Sequence, residues 1–201
     1  MTIALIDYGA GNLHSVHNAL KAAGADGVVV TADPSVVLRA DRVVLPGVGA
    51  FGACASALRA VDGMVDALDR RVGGDAVPFL GICVGMQLMA TRGEELGSHA
   101  GLGWVPGTVR ALVPDRSETK IPHMGWNDVV PSAPHPLIEP GEAYFLHSFA
   151  FDGEAVIATT DHGGPVTAAI GRDNLIGVQF HPEKSQRYGL DLLARFLEWR
   201  P

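Results

Sequence analysis

At 201 residues, with 47% apolar and 18% charged side chains, the chain is long enough for one soluble globular domain with a substantial core. A formal charge of −7 with no basic run argues against nucleic acid as a partner, because phosphate recognition rests on clustered Lys and Arg. Two cysteines, Cys54 and Cys83, are too few for a disulfide scaffold. "MTIALIDYG" has no basic n-region, and the longest uncharged run near the middle, Ala76–Thr91, is shorter than the ~20 residues of a membrane span, so a cytoplasmic protein with no membrane partner is expected.

In chain order, Thr2–Asp7 reads as an apolar strand. Asn12–Ala23 follows as a helix, with Leu13, Val16 and Leu20 on one face and Gly24 as its stop. Val28–Thr31 and Arg42–Leu45 are strands around a short helix at Val36–Ala40. Helices follow at Ala50–Ala60 and Met64–Arg71, then a strand at Ala76–Leu80 and a helix beginning at Val84–Ala90. Strands alternating with helices imply βαβ units and a parallel sheet. The second half differs. "GTVRALVP", "EAYFLHSFAF", "EAVIATT", "PVTAAIG" and "NLIGVQFHP" are strand-like runs set apart by Gly, Pro and Asp, and Tyr188–Trp199 is a closing amphipathic helix. The Pro- and His-rich segment 114–136 reads as a long surface loop. The expected fold is α/β with three layers. A mostly parallel central sheet is flanked by helices and extended by antiparallel strands, in a single domain spanning 1–201.

Two stretches carry chemistry. "GVGAFG" (47–52) has the Gly-x-Gly-x-x-Gly form of a dinucleotide fingerprint. It follows the third strand rather than the first, and no strand-ending acid comes ~20 residues later to hold a ribose, so the match is one of form. "PFLGICVGMQL" (78–88) is an apolar strand, then Gly81-Ile82-Cys83-Val84-Gly85, then a helix. This is a nucleophile elbow with cysteine in place of serine. The turn strains the nucleophile, the glycines relieve crowding, and the Val84 amide points where an oxyanion would form. The helix N-terminus favours the thiolate. Cys54 sits in the Ala-rich run "FGACASALRA" without an elbow and reads as a packing residue.

A cysteine nucleophile needs a base, and the base an orienter. Among eight histidines, His181 stands apart, because "GVQFHPE" is an apolar strand ending in His-Pro-Glu. Pro182 holds His181 extended, and residues two apart on an extended chain face one side, so His181 and Glu183 project together. Neither His-Glu-x-x-His nor Cys-x-x-Cys occurs, so no metal and no cofactor is expected. Two other readings use the same residues: a cysteine hydrolase or peptidase, and a regulatory module with a relic elbow.

With both motifs placed, the chain resembles the class I (triad) glutamine amidotransferases, and within them the glutaminase subunits of imidazole glycerol phosphate synthase. The resemblance rests on "DYGAGN" (7–12), "LPGVGAFG" (45–52), "GICVGMQL" (81–88), "PHMGWN" (122–127), "YFLHSF" (144–149) and "GVQFHPEKS" (177–185), in that order. It implies a flavodoxin-like sheet, a Cys83–His181–Glu183 triad, and a loop at Gly47, Val48 and Gly49 that serves as the oxyanion strand, with donors at Val48 and Val84. It further implies that Gln87, Glu95 and the strand around Ser148 hold glutamine. Glutamate and ammonia would be the products, the ammonia passing to a separate (β/α)₈-barrel cyclase in a heterodimer for histidine biosynthesis. His123, Met124, Gly125, Trp126, Asn127 and Lys184 would face that partner.

Overall fold

The computed structural model describes residues 1–113, 115 and 118–201. The chain runs β1 (Thr2–Ile6), α1 (Leu13–Ala22), β2 (Gly27–Thr31), α2 (Pro34–Val37), β3 (Arg42–Gly47), α3 (Phe51–Ala60) and α4 (Met64–Leu68), the last continuing into a π-turn at Asp69–Gly74. Next come β4 (Phe79–Cys83), α5 (Val84–Gln87), β5 (Ala90–Gly93), β6 (His99–Ala100), β7 (Val105–Ala111) and β8 (His123–Pro131). The chain finishes with β9 (Gly141–His147), β10 (Phe149–Gly153), β11 (Val156–Asp161), β12 (Pro165–Arg172), β13 (Leu175–Val178), a 3₁₀ turn at Pro182–Lys184 and α6 (Gln186–Glu198).

Nine strands form the main sheet in the order β2-β1-β3-β4-β13-β12-β11-β8-β9. The pairings from β2 through β13 are parallel, and those from β13 to β9 are antiparallel. β3 and β4 are buried at every residue, so both faces of the parallel half are covered. α1 packs against α6, and α3 and α4 pack against each other. Continuous apolar runs such as Val43-Val44-Leu45 are what such doubly covered strands require. A second sheet, β10-β7-β5-β6, lies beside the main one.

Several expectations change, among them the short helix, which lies at Pro34–Val37 rather than Val36–Ala40. Residues 114–136 are not a loop, because β8 occupies 123–131 in their midst and pairs along its length with β9. Its burial alternates, with His123 and Val129 inside and Met124, Trp126 and Val130 outside, and the flanking prolines hid that period of two. Pro114, Arg116 and Ser117, which belong to the same segment, lie outside the described residues. The strand expected at Ala76–Leu80 begins only at Phe79 and runs through Cys83, since Ala76 takes φ 54 and cannot continue a ladder. The helix after the elbow is a single turn, because Ala90–Gly93 turns into the edge of the second sheet.

Register sets the site. Gly47 of β3 pairs with Cys83 of β4, and Val178 of β13 pairs with Ile82. The carboxyl ends of three neighbouring parallel strands therefore bring the "GVG" loop, the elbow and the approach to His181 to one rim, where α/β sheets form their ligand crevices.

Candidate active site

Cys83 ends β4 with φ 55 and ψ −113, a conformation that strains any residue with a side chain. The elbow glycines make it tolerable through close backbone approach. A Cβ on Gly85 would collide with the Leu45 carbonyl oxygen of β3, and one on Gly81 would lie 2.8 Å from the Gly85 oxygen. The pattern Gly-x-Cys-x-Gly thus lets α5 lie directly against β3 and β4 while the thiol stands at the sheet's edge.

His181 meets that thiol. Its ring lines the same cavity as the Cys83 side chain and interacts with it electrostatically, and its Nδ1 lies 2.9 Å from Glu183 Oε1. The Glu183 side chain is only 1% exposed, and among the described residues its Oε2 has no hydrogen-bond partner, so the imidazole beside Oε1 is the group that neutralises it. Burial pulls the His181 pKa down, but the hydrogen bonds and charges of Cys83 and Glu183 outweigh it and raise the value to about 9. The imidazolium form is thereby favoured between a sulfur and a carboxylate. The backbone route to this pair differs from the sequence argument. β13 stops at Val178, and Glu183 reaches back from the 3₁₀ turn rather than from an extended strand. The His181 amide bonds to the Tyr144 carbonyl, and Ser185 Oγ donates to the His181 carbonyl at 2.7 Å, which fixes the turn.

A cavity of about 230 Å³ opens above the thiol, lined by Val48, Gly49, Cys83, Val84, Gln87, Glu95, Ser148 and His181 among others. The loop from Gly47, the elbow, the glutamine-pocket candidates and the histidine of the expected triad therefore share one space. Gln87 is buried, and its Nε2 donates to the Phe149 carbonyl at 2.9 Å and to Gln179 Oε1 at 3.0 Å. Both amide hydrogens are thus used inside the protein, and only its oxygen is left for a ligand. Glu95 Oε2 accepts from the Phe51 amide at 2.7 Å at the start of α3, and the side chain borders the cavity.

Three contributors escaped the sequence reading. Gln179 Nε2 lies 3.8 Å from Cys83 Sγ. It stands two residues before His181, so the same alternation that singled out His181 pointed to it. The Phe149 carbonyl anchors Gln87, and no side-chain pattern reveals a carbonyl. Tyr8, inside the quoted "DYGAGN", donates its hydroxyl to the Pro46 carbonyl at 2.8 Å beneath the "GVG" loop.

The segment expected to face a partner divides by strand alternation. Met124 and Trp126 project outward beside the exposed Leu146 of β9. Gly125 turns at φ 131, and Asn127 is half-buried. His123 is turned inward, stacked between Phe145 and His162 at ring distances of 4.6 and 4.0 Å. Its Nδ1 lies 3.1 Å from His147 Nε2. Burial, with the neighbouring histidines, lowers the His123 pKa to about 3, and burial lowers that of His147 to about 4. Lys184 borders the cavity, with its ammonium 5.9 Å from the Tyr144 ring centre.

Comparison with known proteins gives the family. The profile of the family Glutamine amidotransferase class-I matches residues 4–199. The curated imidazole glycerol phosphate synthase subunit HisH of Zymomonas mobilis is 61% identical over 100% of this chain and 97% of its own length. The HisH subunit of Rhodospirillum rubrum is 55% identical, with full coverage of both chains. Among solved structures, a glutamine amidotransferase and PurLQS from Thermotoga maritima each superpose with a TM-score of 0.75 at 18% identity, covering 98% of this chain and 98% and 97% of their own. That identity speaks for the fold alone. The chain belongs to the class-I glutamine amidotransferases and, within them, to the HisH subunits of imidazole glycerol phosphate synthase.

Proposed function

We propose that this chain is the glutaminase subunit of imidazole glycerol phosphate synthase, a cytoplasmic single-domain enzyme with a Cys83–His181–Glu183 triad. The observation that carries the reading is His181, which shares one cavity with the strained Cys83 and lies 2.9 Å from a buried carboxylate.

Glutamine enters the cavity with its side-chain amide above the sulfur. The Cys83 thiolate attacks the amide carbon, a C–S bond forms, and the negative charge moves to the carbonyl oxygen. Amides at Val84 and Val48 receive that charge, each worth on the order of 3 kcal/mol. The His181 imidazolium gives its proton to the nitrogen, the C–N bond breaks, and ammonia leaves a glutamyl thioester. Water then gives a proton to His181 and attacks the thioester carbon. The C–S bond breaks, glutamate leaves, and the thiolate–imidazolium pair is restored. Glu183 fixes the imidazole tautomer throughout. Gln87, Glu95 and the Ser148 strand hold the amino-acid end of the substrate.

Free ammonia protonates in water and is lost as a nucleophile, so the product is best handed on inside an assembly. The relatives are named as subunits of a synthase, and the exposed Met124, Trp126 and Leu146 stand on neighbouring strands near the Tyr144–Lys184 pair at the cavity's mouth. This face is the docking surface for a separate (β/α)₈-barrel cyclase subunit, which takes up the ammonia. Exposed aromatic and Met side chains are typical interface anchors.

Glutamate release from glutamine, measured with the partner subunit and its ligand bound, tests the reading. Cys83→Ala removes release and Cys54→Ala retains it in part. Retention in Cys83→Ala would sink the assignment. A cysteine peptidase would instead cleave peptides without the partner.

A further inference from the structure

Cys54 is the thiol that the proposed chemistry leaves unused, and it is placed as more than filler. It lies on α3 and is 1% exposed. Its Sγ stands 3.3 Å from the carbonyl oxygen of Val48, in the loop that lines the cavity beside Cys83. Beside it, Tyr8 donates to the Pro46 carbonyl at 2.8 Å and interacts electrostatically with Cys54. Pro46 and Val48 are the residues on either side of Gly47. Their two carbonyls, which bracket the Gly47–Val48 peptide, are both held by this one pair of side chains. There is no slack on the other side: a Cβ on Gly47 would lie 2.7 Å from the Gly85 amide nitrogen and 2.8 Å from the Tyr8 oxygen.

Protons decide how firm the hold is. Burial, together with the neighbouring sulfur atoms, pushes the Tyr8 phenol well above its ordinary range, and burial pushes the Cys54 thiol up. Both groups stay protonated, with one hydrogen each. Two contacts use those two hydrogens: Tyr8 with Pro46, and Cys54 with Val48. The phenol is the better donor and is committed to Pro46 at a short distance. The thiol, a weak donor, is directed at the Val48 carbonyl. Val48 is therefore held by one weak hydrogen bond.

We propose that Cys54, backed by Tyr8, is a positioning residue for the oxyanion loop. It touches no substrate. It sets the orientation of the peptides at Val48 and so the quality of the amide that meets charge on the glutamine carbonyl. The inference rests on reading Cys83 as the nucleophile and Val48 as an oxyanion donor. A donor that matters only in the transition state changes kcat and leaves KM alone. Loss of a whole oxyanion donor costs about 10²–10³ in kcat, so loosening one costs less, about tenfold.

The test compares Cys54→Val, Cys54→Ala and Cys54→Ser in the complex with the partner subunit. Valine keeps the volume without a donor, and serine keeps a donor. We expect Val and Ala to lower kcat about tenfold at unchanged KM, and Ser to stay within about threefold of wild type. Amide hydrogen exchange at Val48 and Gly49 in the free chain gives a reading that needs no activity: faster in the Val and Ala variants, near wild type in the Ser variant. Wild-type kcat and exchange in Cys54→Val, or an equal loss in all three variants, would assign Cys54 to packing and overturn the proposal. A wild-type complex that releases no glutamate would instead defeat the glutaminase reading, and the exchange pattern would still decide the role of Cys54.

Discussion

Glu183 Oε1 lies 2.9 Å from His181 Nδ1, and the residues are joined by a 3₁₀ turn, so the pair is held by the turn's hydrogen bonds and by the two bonds that tie the turn to Tyr144 of β9. The carboxylate and the Cys83 sulfur together raise the His181 pKa from 6.5 to about 9 against the pull of burial. A raised pKa in the folded state stabilises the fold fully below the unfolded value near 6.5, and the contribution disappears as pH climbs through about 9. Glu183→Gln removes one of the raising causes. Its His181 therefore titrates below the wild-type value in an NMR titration. The stability gap between wild type and variant is widest near pH 6 and closes above pH ~9, as urea unfolding across that range will show.

The elbow makes a stability prediction separable from chemistry. At Gly85 an added Cβ meets the Leu45 carbonyl of β3, a backbone atom that cannot swing aside. Overpacking of this kind costs roughly 1–3 kcal/mol, and here the elbow must shift as well. Gly85→Ala should lose at least ~2 kcal/mol in urea unfolding and most of its glutaminase activity. Gly73→Ala, at a glycine with open space around it, leaves both near wild type. Equal stability of the two variants would contradict the packing argument.

The exposed face of β8 predicts where the partner bites. Trp126 is 47% exposed and touches the Tyr144 ring edge-on at 6.3 Å, so its removal leaves the core intact. Trp126→Ala should weaken binding of the partner subunit by more than ~1 kcal/mol, about fivefold or more in Kd by calorimetry, while the free chain melts at the wild-type temperature. Unchanged affinity would move the docking surface elsewhere.

How much of this was legible in the sequence depends on the kind of contact. Val43-Val44-Leu45 and Phe79-Leu80 read as strands because doubly buried strands are apolar without a break. Cys83 and His181 were legible because strained turns and strand ends leave local patterns of Gly and Pro. β8 was not, since prolines and histidines around an alternating strand resemble loop composition. Glu183 was found by an argument from extended chain that the 3₁₀ turn does not obey, although turn and strand both bring residues two apart within reach. The hold of Tyr8 and Cys54 on the "GVG" loop joins the end of β1 to α3 across the sheet's rim, and no local period encodes such a meeting.

The inward histidines give a prediction about single protons. The Phe149 carbonyl can only accept, so His147 Nδ1, 2.9 Å away, must carry a hydrogen. With its pKa lowered to about 4 chiefly by burial, His147 is neutral at pH 7, and its Nε2 is an acceptor. His123 Nδ1, 3.1 Å from that nitrogen, is then the donor, and His123 Nε2 accepts from Asn127 Nδ2 at 3.0 Å. Asn127 gives its other amide hydrogen to the Asp161 carbonyl at 2.9 Å. Along the hydrogen-bond chain Asn127–His123–His147 the donors point one way, from β8 toward the Phe149 carbonyl that also anchors Gln87. Nitrogen-15 NMR at pH 7 should find both rings neutral and protonated at Nδ1. Asn127→Asp replaces the donor with an acceptor and should reverse the His123 tautomer, since its Nε2 then needs the hydrogen. His147, still bound to Phe149, keeps its own tautomer but faces His123 acceptor to acceptor. That mismatch should lower stability by about 1–3 kcal/mol, the cost of one unsatisfied buried group. An Nε2-protonated His147 in the wild-type chain would break the whole polarity.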